Sequence, residues 1–421
     1  MRLSYREGSI KWQVINLIYE CGELPYKALH VLGRSNKSNQ NQVKSMEKDG
    51  IVHVESLYKG KTIKLNHTEV PMDDVLFKNA RKQYESVLSN TYYASEVKTI
   101  TNATKERVSK RRRNLRLGKT TTFMYAAGMY VFSDGSIYKP NLLEKGLSGK
   151  ETAFYLSTDI KKIFSEDEKR IPNRSLGILI YQTDIFPTYY IDNERQTIVE
   201  SWERKAKRVL EYYLDMVSDV KLKNQREITK CMLLVDDYSL VKDMVMPEYA
   251  YEGYKKSKQS FKLADTYEKY YCFPYTRNGT KLCHAVLVDC NRLKNLPIKR
   301  KNRVEESESI EYNGREILEE DKTGKKMLYE LSLFDCEVKK LYRFLEFIEF
   351  KEYRRKPGEY TDEYKIYCLD FQYEMLQGVL KECNRSKLVK LVSYSTELVL
   401  AKFSEKKERP IKQDEKSHPI E

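Results

Sequence analysis

The chain is poor in the residues that usually build metal and covalent centres. Its 421 residues include five histidines, at 30, 53, 67, 284 and 418, and no two of them stand in an HxH or HxxxH spacing. That argues against a zinc centre and against the histidine-held metal that tyrosine nucleophiles of the relaxase type require. The 33 tyrosines therefore point to no chemistry by themselves. The cysteines, Cys21, Cys231, Cys272, Cys283, Cys290, Cys336, Cys368 and Cys383, contain no CxxC pair and fall mostly in apolar runs. Buried free thiols are the expected state. Cys283-His284 is the nearest approach to a ligand pair, and neither metal nor cofactor is expected.

Long apolar runs are missing as well. None approaches the ~18 residues of a membrane span, and the opening MRLSYREGSIKW lacks a signal-peptide core. A cytoplasmic protein with no membrane partner is expected. A phosphate-binding loop is excluded, because Gly118-Lys119-Thr120 would need a glycine where Arg113 stands.

What the chain has is charge. The formal net charge is +14, which favours a polyanionic partner, nucleic acid first. The plainer alternative is a lysine-biased, mixed-charge surface. The length implies about two or three domains, and composition places their limits at 1–70, 71–128 (a basic helical connector), 129–403 (mixed α/β, with a charged insertion at 291–326) and 404–421 (a disordered tail).

The most legible stretch runs from Leu24 to Leu65. Leu24, Ala28, Leu29 and Leu32 give a short amphipathic helix stopped by Gly33, and a second helix follows from Asn36 or Ser38 to Asp49. The β-rich runs Ile51–Leu57 and Thr62–Leu65 flank Tyr58-Lys59-Gly60-Lys61, a hairpin tip with two lysines. Ahead of them, Ile10–Tyr19 reads as a helix whose Trp12 is core. This is the punctuation of a winged helix-turn-helix. In the second helix Val43 and Met46 form the packing stripe, and at ~100° per residue Lys37, Ser38, Asn41, Lys44, Ser45 and Lys48 point the other way. Amides and hydroxyls suit base edges and ammonium groups suit phosphates, so these residues, with Lys59 and Lys61 of the hairpin, are candidate contacts to double-stranded DNA. A solvated helix used for protein contacts is the alternative.

The segment from Glu96 to Lys119 carries nine basic and two acidic residues, 9 − 2 = +7, half of the chain's excess. Lys110, Arg111, Arg112, Arg113 and Arg116 are candidate phosphate contacts, the alternative being ion pairs within their own domain. Beyond Met129 the pattern is mixed α/β. Strands are expected at Ala153–Leu156, Ser175–Tyr181, Pro187–Asp192 and Cys231–Val235, with a helix at Ser201–Val217. A hairpin is expected around Thr276–Thr280, between Tyr270–Pro274 and Leu282–Val288. The stretch 291–326 reads as a surface loop, followed by strand-then-helix units from Met327 and Lys365 and a final strand at Val389–Tyr394.

Metal-dependent DNA cleavage would need carboxylates gathered at strand ends with a lysine near them. Asp134, Asp184, Asp192, Asp236, Asp237, Asp335 and Asp370 lie near such ends, with Lys242 a candidate lysine. Asp335 and Asp370, each between a strand and a helix, are the catalytic candidates, and both are equally explained as helix caps. Mg2+ is implied only if cleavage holds.

The order of parts resembles the replication-relaxation-like proteins of plasmids and integrative conjugative elements of Gram-positive bacteria. The matching pieces are the run from Val43 to Val52, Ala126-Ala127-Gly128, Ala153–Ser157 and Asn173–Leu179, over the first half of the chain. The resemblance implies an amino-terminal winged helix, a divergent nuclease-like α/β domain, and sequence-directed DNA binding in plasmid replication, strand relaxation or mobile-element control. Replication or conjugation proteins and a second copy of the chain are candidate partners beside the DNA. It carries over no catalytic residue. The expected function is therefore a DNA-binding accessory or initiator protein without its own catalysis. The alternatives are a metal-dependent nicking endonuclease and a transcriptional repressor.

Overall fold

The computed structural model describes residues 5–6, 8–57, 60–66, 105–132, 152–163, 167, 174–181, 184–192, 200–217, 228–246, 266–296, 305–321, 324–354 and 361–405. The sequence pattern also predicts a helix at 74–90 and a strand at 136–138; these, with Asp134, the hairpin-tip Lys59 and the tail beyond 405, lie outside the described residues. The described chain is mixed α+β with three sheets among the described residues.

Helix α1 spans Ile10–Cys21; Ser9 caps it by accepting from the Trp12 amide, and Gly22 ends it at φ 79°. β1 (Leu24–Pro25) leads into a 3-10 helix, Tyr26–Val31. Helix α2 runs Asn36–Lys48, capped by Ser35, and β2 (Val52–Leu57) and β3 (Gly60–Leu65) form the hairpin. Strand β1 pairs antiparallel with β3, giving the order β1-β3-β2. Trp12, Ile15, Leu29, Val43, Met46 and Ile63 are buried together, and each such side chain contributes roughly 1.5–3 kcal/mol of transfer free energy. The buried Asn39 amide donates to Leu29 O at 2.8 Å, fixing α2 on the 3-10 helix.

Helix α3 (Lys105–Ala126) packs on α1 and the 3-10 helix, and Gly128 stops it at φ 87°. Two sheets of the same design follow. In the first, β4 (Ala153–Leu156) enters α4 (Ser157–Ile163), and β5 (Gly177–Tyr181) and β6 (Asp184–Ile191) complete an antiparallel meander. Helix α5 (Glu200–Val217) then crosses to β7 (Lys230–Val235), and the short α6 (Lys242–Val245) precedes β8 (Lys269–Pro274). β6, β7 and β8 are parallel neighbours. Helix α7 (Arg277–Lys294) leads to the second sheet. There β9 (Glu305–Ser309), β10 (Gly314–Asp321) and β11 (Gly324–Ser332) form the meander, α8 (Lys339–Arg354) crosses to β12 (Thr361–Leu369), α9 (Tyr373–Glu382) crosses to β13 (Val389–Tyr394), and α10 (Thr396–Glu405) ends the described chain.

Strand period two divides the interior into two cores. Along β7, Met232 and Leu234 face the core shared with α1, α3 and α7, whereas Cys231, Leu233 and Val235 face one shared with α8 and α9. The sheets are tied where the segment leaving β11 reaches β8: the Cys272 amide donates to Cys336 O at 2.9 Å, and the Val338 amide to Tyr270 O at 2.8 Å.

Three sequence expectations are corrected. The amphipathic helix expected from Leu24 to Leu32 is strand β1 followed by the 3-10 helix Tyr26–Val31. The hairpin at 276–280 is the start of α7: Thr276 caps it by accepting from the Gly279 amide, and Leu282, Cys283 and Val286 are its buried stripe. Gly279 mimics a turn signal but serves a close approach, since a Cβ there would lie 1.9 Å from Pro274 O. The expected loop at 291–326 holds β9, β10 and the start of β11, because Tyr312 and Ile317 supply a buried face beneath glutamate-rich outer positions.

Candidate nucleic-acid interface

The exposed side of α2 is built from the inside. Asn39, Val43 and Met46 are buried, so the positions between them turn outward. Lys37, Asn41, Lys44 and Lys48 are exposed and Ser38 and Ser45 are half-buried. Lys61 is exposed on β3 beside the hairpin tip. Ser45 is less free than its spacing suggested, since its hydroxyl accepts from Lys11 Nζ at 2.9 Å. Lys11, which also lies 3.4 Å from Asp49, thereby adds a cation to this side from α1. The Ser38 backbone amide serves the Ser35 cap at 3.2 Å.

The arginines of α3 are placed differently. Arg111 pairs with Glu23 at 2.5 Å and donates to Thr62 Oγ1 at 2.8 Å. Burial pushes the Glu23 carboxyl up, and the charges of Arg111 and Lys64 pull it back. Arg113 donates to Ser175 O at 2.8 Å, and burial followed by the neighbouring Arg174 lowers its affinity for the proton. Arg116 forms a fork with Asp192, at 2.8 and 2.7 Å. Arg112 is half-buried beside them, and Lys110 lies on the same helix. Arg111, Arg113 and Arg116 thus bind internal partners in this structure, tying α3 to the first three-stranded unit on one side and to the first five-stranded sheet on the other. Counting charge along the segment suggested phosphates because Glu23, Ser175 and Asp192 are distant in sequence.

A second junction left no signal in the sequence. Arg277, the first residue of α7, donates to His30 O and Leu32 O at 2.7 Å each, capping the 3-10 helix just before α2. The His30 ring lies 2.6 Å from Lys27 O and 2.9 Å from Tyr275 O. Lys119 of α3 reaches both oxygens of Asp236, at 2.9 and 2.8 Å, under the rings of Tyr190 and Tyr275.

The catalytic candidates are not brought together. Asp335 is buried and its two oxygens accept from the fully buried Lys340 at 2.7 and 2.6 Å. Asp370 accepts from the Thr396 amide at 3.3 Å and from its hydroxyl, at the start of α10. Both carboxylates are thus engaged within the fold, and the Asp335–Lys340 pair is closed off at 4% and 0% side-chain exposure. The other carboxylates are dispersed: Asp184 pairs with Lys230, Asp192 with Arg116, and Asp237 accepts from the Ser239 amide. Lys242 pairs with Glu382. Among the described residues no group of three or more His, Cys, Asp or Glu could hold a metal ion, and no helix is long and apolar enough to cross a membrane. All eight cysteines are free thiols, seven of them buried. Comparisons with family models, with curated proteins and with solved structures find no match to this chain.

Proposed function

We propose that residues 10–65 form a winged helix-turn-helix that binds double-stranded DNA, with α2 as the helix entering the major groove and the β2–β3 hairpin as the wing. The order helix, strand, helix, helix, strand, strand, with β1 closing on β3, supports the assignment of parts. The observation that carries the reading is the outer side of α2, where Lys37, Asn41, Lys44 and Lys48 stand exposed on a helix locked from behind by Asn39, Val43 and Met46. Such a helix is preorganised: binding need not order it, and its charged and amide groups are left for phosphates and base edges. Within that reading the protein is a DNA-binding accessory or initiator of a mobile element, acting in replication, strand relaxation or their control. The nuclease-like body then serves as a scaffold without cleavage of its own.

The test is fluorescence anisotropy with a library of duplexes, starting at low ionic strength. The full chain binds duplex DNA, and Lys44→Ala with Lys48→Ala lowers its affinity and reduces the slope of log K against log salt by about 0.9 for each phosphate that is no longer neutralised. Absence of binding to every duplex at low salt overturns the proposal.

A further inference from the structure

A cavity of about 330 Å³ opens where the first unit meets the carboxyl ends of β7 and β8. Tyr26, Lys27 and His30 of the 3-10 helix form one wall, and Asn36 and Gln40 of α2 continue it. Lys119, Asp236 and Tyr275 form the other. Its volume falls in the range of small-ligand sites, roughly 300–1,000 Å³, and Asp236 and Tyr275 enter it from just beyond the carboxyl ends of the parallel strands β7 and β8.

We propose that this cavity binds a single nucleotide unit. The wall chemistry divides into the three parts such a unit needs. Tyr26 and His30, both half-buried, supply ring surface against which a base can stack. Asn36 and Gln40 supply amides, each a donor beside an acceptor, matched to the edge of a base. Lys27 is exposed at the rim, near the amino terminus of α2, where backbone amides and the helix dipole favour a phosphate. Asp236, held on one side by Lys119 and the Tyr190 hydroxyl, keeps a third of its side chain open and can accept from a sugar hydroxyl or a base amino group.

The nucleotide has two sources, a free mononucleotide or an unpaired nucleotide at the end of a DNA strand, and the site is independent of the groove-binding side of α2. The experiment is titration calorimetry of the full chain with AMP, GMP, CMP and dTMP, with inorganic phosphate alone, and with two duplexes differing only in one unpaired 5′-phosphorylated nucleotide. For the free source, at least one mononucleotide binds at one per chain and at least tenfold tighter than phosphate, and Gln40→Ala or Lys27→Ala weakens it at least tenfold. For the strand source, the overhang duplex binds at least tenfold tighter than the blunt one, and Gln40→Ala removes the difference. Both variants alter exposed or half-buried side chains, and circular dichroism verifies their folding. Nucleotide binding that neither variant changes, phosphate binding as tightly as the nucleotides, or no preference for either ligand form overturns the proposal. Binding of the blunt duplex is read separately, so failure here leaves the proposed groove contact standing, and the reverse.

Discussion

Lys340 is the most constrained charge in the described chain. Its ammonium has no exposure and donates to Asp335 and to Ser332 O. Removing one partner strands the other without water, so Asp335→Ala is expected to cost about 3–5 kcal/mol of unfolding free energy. A double replacement by apolar residues of similar volume is expected to cost much less, and urea denaturation distinguishes the two. Beside the pair, burial pushes the Glu337 carboxyl from 4.5 up to about 7; the charge of Lys340 pulls it down and that of Asp335 raises it. The folded state therefore holds a proton there that the unfolded chain has released, and stability falls as pH rises from about 4.5 to about 7. Glu337→Gln should flatten that part of the stability curve. An unchanged pH profile in the variant would show that Glu337 does not carry it.

Helix α2 was legible in sequence because its apolar stripe, Val43 with Met46, is local, whereas its start was left between Asn36 and Ser38 and the cap, Ser35, emerges only from the structure. Strands β4 and β13 were legible for the same reason, as apolar runs between turn residues. Helix α7 was not, because Asn278-Gly279 imitates a hairpin turn, and only the packing against Pro274 O reveals why the glycine is there. The arginines of α3 could be counted but not assigned. Arg111→Ala is expected to destabilise the fold, since it leaves Glu23 buried against the remaining charge of Lys64. It should leave the salt slope of duplex binding unchanged, whereas a flattened slope would return Arg111 to the DNA. Arg277 belongs to the same scale. Its two charge-assisted bonds contribute roughly 1.5–3 kcal/mol each and hold the turn ahead of α2. Arg277→Ala should raise amide hydrogen exchange across residues 26–35 and weaken duplex binding without contacting DNA. Lysine, a point charge without the fork, should restore only part of it.

In the whole molecule, the unit that presents α2 is bolted to a body of two like-built sheets through Arg111–Glu23, Arg277–His30 and Arg277–Leu32, and His30–Tyr275. These contacts span tens to hundreds of positions, so no reading of local period could give them. They hold α2 in one orientation relative to the body, and a ligand seated between them would act on that orientation. The contact proposed above sets the outer side of α2 against duplex DNA. Anisotropy titrations of the intact chain and of the Lys44→Ala, Lys48→Ala variant, at several salt concentrations against a selected duplex, test it most directly. The variant is expected to bind more weakly, with a salt slope smaller by roughly 1.8, the value for two phosphates left without a lysine. Equal affinity and equal slope for the two proteins would contradict it.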